Sequence, residues 1–176
     1  RILIKLRIIL FENGYKDGAA SLQPSISMRK QLTPSDQNIT VAIITRNRAI
    51  LLKNCLLSLI KQTCYPKEIL VIDNASSDDT KQTTLLFKNV LPIHYIFEST
   101  IGVAPARNRA LEEAKGNILA FIDDDCEATP TWVEEIARAN RDNPKAAAIL
   151  GRSYAIDGKS VFGTLTERYL SNWISS

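Results

Sequence analysis

The chain has 176 residues, 45% of them hydrophobic and 23% charged, with seven Gly and seven Pro. That composition fits one ordinary globular domain and excludes collagen-like, low-complexity and wholly disordered classes. The formal net charge of +3 sits in the leader, because residues 1–37 carry six basic and three acidic side chains and the remainder carries sixteen of each; a main body without a basic stripe argues against nucleic acid as a partner. Three cysteines, Cys55, Cys64 and Cys126, form an odd set without a C-x-x-C pair, which points to free thiols in a reducing, cytoplasmic compartment.

In chain order, residues 1–11 (RILIKLRIILF) are apolar but interrupted by Lys5 and Arg7, too short and too charged for a membrane span and without the cleavage site of a signal peptide. Two readings fit: a remnant of a preceding domain, or a basic, apolar contact with the inner face of the cell membrane. The absence of an initial Met suggests a piece of a longer protein. Residues 13–37, rich in Ser, Gly, Pro and Gln, read as linker, so the expected organisation is a leader over 1–37 and a domain over 38–176.

Residues 39–45 (ITVAIIT) form the continuous β-branched run of a strand buried on both faces. Leu51, Leu52, Cys55, Leu56, Leu59 and Ile60 then recur at helical spacing. Residues 69–72 predict a second strand, followed by a polar turn over 73–79 and a helix carrying Leu85 and Leu86; residues 93–97 predict a third strand. Pro105 suits the first turn of a helix that continues through Ala110, Leu111 and Ala114 and stops at Gly116. Residues 118–122 predict a fourth strand ending in Asp123, Asp124 and Asp125. Thr129 and Pro130 precede a helix with Trp132, Val133, Ile136 and Ala137 on one face, and residues 146–150 suggest a fifth strand. Alternation of this kind implies βαβ units and a mostly parallel sheet with helices on both faces.

Ligands of such sheets bind outside the carboxyl ends of the strands, where this chain gathers its polar clusters. Three successive acids repel one another, and a hard divalent cation, Mg²⁺ or Mn²⁺, would relieve them. Alternation in an extended segment lets Asp123 and Asp125 share a target while Asp124 points elsewhere. A D-D-x-x-E reading through Glu127 would need a helix there, against the strand ending in Phe121 and Ile122. Asp73 and Asn74 can accept and donate hydrogen bonds to a base edge or a ribose, while Ser77, Asp78 and Asp79 read as a helix cap. The segment 102–109 offers small residues and two cations at a helix entry, but neither a dinucleotide nor a P-loop fingerprint. His94, inside a predicted strand, reads as a packed or edge residue.

Together ITRNR, VIDNASSDDT, GVAPARNRALEEAKG and AFIDDDCEATPTWVEEI resemble the nucleotide-binding half of a family 2 glycosyltransferase of GT-A fold, over residues 38–150. The resemblance implies that Thr45, Arg46, Asp73 and Asn74 line the base and ribose, usually of uridine. It places Arg107 and Asn108 near the donor, and Asp123, Asp124 and Asp125 at the Asp-x-Asp position, with Asp123 and Asp124 toward the nucleotide and Asp123 and Asp125 toward the metal. Expected partners are a nucleotide-sugar donor and a saccharide or lipid-linked acceptor, in an inverting, metal-dependent transfer of the kind that builds cell-envelope polysaccharides. Arg46 stands where the family often has Tyr, and Asn74 where it often has a second Asp. The family's downstream Glu-Asp base has no counterpart: Asp157 and Glu167 follow the last predicted strand outside any such motif, so the catalytic residue is unassigned and the acceptor half is expected to be missing. A sugar-nucleotide nucleotidyltransferase and a non-catalytic nucleotide-binding module are the alternatives.

Overall fold

The computed structural model describes residues 7–10 and 38–151. Its elements are β1 (Arg7–Leu10), β2 (Ile39–Thr45), α1 (Ala49–Ile60), β3 (Glu68–Asp73), α2 (Thr80–Leu86), β4 (Ile93–Phe97), α3 (Val103–Glu113), β5 (Ile118–Asp123), α4 (Trp132–Asp142) and β6 (Ala148–Leu150). The strands form one sheet in the order β4-β3-β2-β5-β1-β6, and every pair is parallel.

Alternation along the strands divides the core in two. Ile39, Val41 and Ile43 of β2, Ile69 and Val71 of β3, and Ile118, Ala120 and Ile122 of β5 pack with Leu52, Leu56 and Leu59 of α1 and Trp132, Val133 and Ile136 of α4. On the other face Ala42, Leu70, Ile72 and Leu119 pack with Ala106 and Ala110 of α3. Burying both faces explains why these strands are nearly unbroken Val, Ile and Leu. In α2 the buried positions are Thr80 and Thr84, whereas Leu85 and Leu86 are 46% and 76% exposed; the Thr84 hydroxyl donates to the Thr80 carbonyl, which satisfies its polar atom and lets it go inside.

The chain leaves β2 toward β3 and β4, then returns to place β5 on the opposite side of β2. The carboxyl ends of β2 and β5 therefore flank a topological switch point, where parallel sheets open a binding crevice. Two features differ from expectation. Residues 7–10, placed ahead of the domain boundary by their composition, pair through their backbone with β5 and β6, because an extended run can complete a parallel ladder wherever neighbouring strands leave one open. Gly116 lies beyond the end of α3 and serves packing: a Cβ there would lie 2.5 Å from the Asn38 carbonyl oxygen and 2.7 Å from the Thr40 nitrogen. The linker over 13–37, the membrane contact read into the leader's side chains, and Asp157 and Glu167 lie outside the described residues. Among the described residues no helix is long and apolar enough to cross a membrane.

Candidate functional site

Register fixes the frame. Thr45 pairs with Asp73 across β2 and β3, and Ile44 with Asp123 across β2 and β5, so Asp73 and Asp123 stand two strand spacings apart, about 10 Å, with Thr45 between them. Thr45 is buried, and its hydroxyl has no hydrogen-bond partner among the described residues. An unpaired buried hydroxyl at a switch point is the kind of group that a ligand or a water satisfies.

On the β3 side Asp73 is buried. Its Oδ1 accepts the Ser76 N–H at 2.9 Å and its Oδ2 the Tyr95 hydroxyl at 2.6 Å. Burial, and then that donation to Asp73, push the Tyr95 phenol above its ordinary value, so it stays a donor. Asn74 faces another way: its Nδ2 donates to the carbonyls of Thr100 (2.7 Å) and Glu98 (3.4 Å), and its Oδ1 accepts the Gly102 N–H at 2.8 Å. It thereby fastens the entry of α3 to the end of β3, and Gly102 with φ +144° provides the left-handed backbone that this entry requires. An open depression of about 310 Å³ borders Asp73, Lys81, Tyr95 and Phe97. It lies on the β4 side, away from the acids of β5.

The N-cap of α2 is Asp79, whose side chain makes no cap bond; the preceding Asp78 holds the helix start instead, its Oδ1 accepting the Thr80 N–H while its Oδ2 accepts the Ala49 N–H at the start of α1. Burial opposes the charge, but the Thr80 hydroxyl and these amides outweigh it and hold the Asp78 carboxyl below its usual range. Ser77 serves elsewhere, donating from its N–H to Asn47 Oδ1 at 2.7 Å.

On the β5 side, oxygens of Asp123 and Asp125 and the Cys126 sulfur lie within 4.8 Å of one another. Asp124 turns inward, buried and bonded through Oδ1 to Arg48 Nη1 at 3.1 Å. The same nitrogen reaches Asp125 Oδ2 at 3.3 Å. Burial first, then repulsion from Asp125 and Asp124, raise the Asp123 carboxyl above its ordinary value against the pull of Arg107 and Arg48. Two carboxylates drawn together, one of them shared with Arg48, offer the oxygens that a hard, oxygen-preferring dication takes. Burial and the same acids push the Cys126 thiol up to about 11, and a hard dication prefers the oxygens of Asp123 and Asp125 to its sulfur. Arg46 and Asn108 are exposed, and the exposed Arg107 lies 5.9 Å from the centre of the Phe121 ring.

The family model described as glycosyl transferase family 2 matches residues 40–175. The chain belongs to glycosyl transferase family 2. It is 33% identical over 126 residues to a validoxylamine A glucosyltransferase of Streptomyces hygroscopicus subsp. limoneus, covering 69% of this chain and 28% of that protein. It is 30% identical over 150 residues to a chondroitin synthase of Escherichia coli, covering 83% of this chain and 22% of that one. Among solved structures, S. aureus TarS 1-349 in complex with UDP-GlcNAc superposes with TM-score 0.57 at 28% identity, covering 61% of this chain and 32% of TarS 1-349. The mannosyltransferase PcManGT from Pyrobaculum calidifontis, in complex with GDP-Man and Mn²⁺, does so with TM-score 0.50 at 28% identity, covering 58% and 31%. The family 2 chain thus spans under a third of the length of each of these relatives, and its parallel α/β sheet is of the GT-A fold.

Sequence patterning singled out Thr45, Asp73 and the three acids, which the sheet brings to one edge. It placed Asn47, Arg48 and Ser76 in the polar clusters without assigning them a part in the site, and passed over Tyr95 and Gln62. Asn47 carried a signal, since Asn tolerates the left-handed backbone that it adopts at φ +53°. Gln62 carried none: its partners, the Thr129 carbonyl and the Val133 N–H, lie some seventy residues along the chain.

Proposed function

We propose that this chain is the donor-binding part of a metal-dependent, inverting glycosyltransferase that uses a nucleotide-sugar, of the UDP-sugar class, and a saccharide or lipid-linked acceptor hydroxyl. The observation that carries the reading is the placement of a buried carboxylate, Asp73, and a converging carboxylate pair, Asp123 and Asp125, on either side of the unpaired Thr45 hydroxyl. That arrangement suits a ligand with a hydrogen-bonding base at one end and a polyanion at the other. The UDP-GlcNAc complex of TarS and the GDP-Man and Mn²⁺ complex of PcManGT support the same ligand class here.

In this reading Asp73, held rigid by Tyr95 and Ser76, accepts from the base or ribose, with Thr45, Arg46 and Asn74 beside it. Asn74 acts mainly by holding the α3 entry, where Arg107 and Asn108 stand near the donor. Asp123 and Asp125 hold Mn²⁺ or Mg²⁺, and a cation bound there neutralises charge on the departing nucleoside diphosphate. Asp124, turned inward, supports the pair from behind. The base that activates the acceptor is sought beyond the described residues.

Calorimetry with UDP in the presence and absence of Mn²⁺ tests the reading. Binding is expected to weaken by about tenfold or more with chelator or with Asp125→Ala, in line with the loss of a metal-held phosphate contact. Equal affinity for UDP with and without the cation refutes it. Binding without any hydrolysis of a UDP-sugar by the full-length protein favours the non-catalytic module.

A further inference from the structure

Arg48 pairs with two acids of the triplet, and its position is set by backbone. Its carbonyl accepts the Leu52 N–H at 2.9 Å, the first turn of α1, so the side chain departs from a fixed point. It crosses to the end of β5, where one nitrogen, Nη1, meets both Asp124 Oδ1 and Asp125 Oδ2. The two acids differ in what they need. The Asp124 side chain is 6% exposed, and a buried carboxylate must be paired; the Asp125 side chain is 50% exposed and can be solvated or shared.

We propose that Arg48 is a positioning residue for the cation site: it anchors Asp124 inward, which turns Asp123 and Asp125 together toward the crevice, and it shares Asp125 with the incoming cation while retaining Asp124. The inference rests on the reading of Asp123 and Asp125 as the metal pair. Strand β5 ends at Asp123, and Asp124 and Asp125 form a turn closed by the Cys126 N–H on the Asp123 carbonyl at 3.1 Å; a guanidinium bonded to both turn residues therefore holds the geometry on which Asp123 and Asp125 converge. The anchor also spans the site. Asn47, the neighbour of Arg48, donates its N–H to Ser76 Oγ at 2.9 Å, and the Ser76 N–H is held by Asp73. The base side and the cation side are joined through these few bonds.

The test is a titration of the full chain with Mn²⁺ alone, read by the loss of the free-ion signal in electron paramagnetic resonance, beside UDP calorimetry without metal. Arg48→Met is expected to weaken Mn²⁺ binding by roughly 10- to 100-fold, the usual cost of losing a residue that orients a metal ligand. Arg48→Lys is expected to recover much of that loss, because a single nitrogen makes both contacts. Arg48→Met leaves Asp124 buried without a partner, so Arg48→Met/Asp124→Asn, which removes that charge, covers the case of misfolding and is expected to bind Mn²⁺ as weakly as the single variant. Mn²⁺ binding by Arg48→Met or by the double variant that equals or exceeds that of the parent overturns the proposal. Absence of Mn²⁺ binding by the parent overturns the metal-site reading itself.

Discussion

Replacing Gln62 by leucine keeps the size of a buried side chain and removes both of its hydrogen bonds. Gln62 Oε1 accepts the N–H of Val133 at 3.0 Å, one of the first amides of α4, which have no acceptor inside the helix. No side chain at the α4 N-cap supplies one either. Gln62 Nε2 donates to the Thr129 carbonyl at 2.6 Å, and that carbonyl keeps a second bond from the Trp132 N–H, so it is not orphaned. The loss is therefore one stranded buried donor, about 1–3 kcal/mol, plus one ordinary bond of about 1 kcal/mol. A total of roughly 2–4 kcal/mol is expected, which lowers a urea midpoint by about 1–2 M for a slope near 2 kcal/mol/M. Urea titration followed by circular dichroism and by the fluorescence of buried Trp132 measures it. Thr63→Val is the internal comparison, since it removes only a part-buried bond of 3.3 Å to Glu134 and is expected to cost below about 1 kcal/mol. A Gln62→Leu shift no larger than that of Thr63→Val would refute the idea that this glutamine caps α4 from outside the helix.

Gly116→Ala forces a Cβ against two backbone atoms of the strand entry, and a loss of about 1–3 kcal/mol is expected, seen as a thermal midpoint lowered by roughly 3–10 °C; an unchanged midpoint would show that β2 yields freely. Tyr95, raised by burial and by its bond to Asp73, stays protonated in the folded chain at pH values where an unfolded tyrosine, near 10, ionises. Its contribution to stability is intact below about pH 10 and is lost as pH rises through the folded value. A spectrophotometric titration should lose a late-ionising tyrosine in Tyr95→Phe, and an alkaline titration whose late phase the substitution leaves in place would contradict the contact.

The strands were legible because both of their faces are buried, which leaves no polar position to blur the run: Ile69 and Val71 pack to one side and Leu70 and Ile72 to the other. α4 was legible for the opposite reason, with Trp132, Val133, Ile136 and Ala137 all buried along one stripe. α2 was found, but its orientation was hidden, because seven residues at the sheet edge are too few to define a face and its threonines satisfy themselves locally. The site was legible as a place and less so as a division of labour. Local spacing shows that polar residues crowd the strand ends. It does not show that Asn74 bonds the α3 entry, that Ser77 bonds Asn47 while Asp78 holds the first amide of α2, or that Arg48 crosses to Asp124, because each choice depends on a partner brought near by the sheet.

The two loops at the edge explain why so many polar residues stand there. Asn47 at φ +53° and Ala75 at φ +56° are the non-glycine residues with left-handed backbone among those described, and each such conformation costs on the order of 1 kcal/mol. They follow β2 and β3, two strands paired side by side, and their loops interlock: the Asn47 N–H bonds Ser76 Oγ and the Ser77 N–H bonds Asn47 Oδ1. These bonds brace each turn against the other. What the strain gains is direction, because the turn at Ala75 brings the Ser76 amide back onto the Asp73 carboxylate, while the turn at Asn47 sends Arg48 toward β5. Polar groups fixed before a ligand arrives lose no freedom when they meet it, so under the proposed function the loop residues that bond one another contribute by holding Asp73 and Arg48 in place.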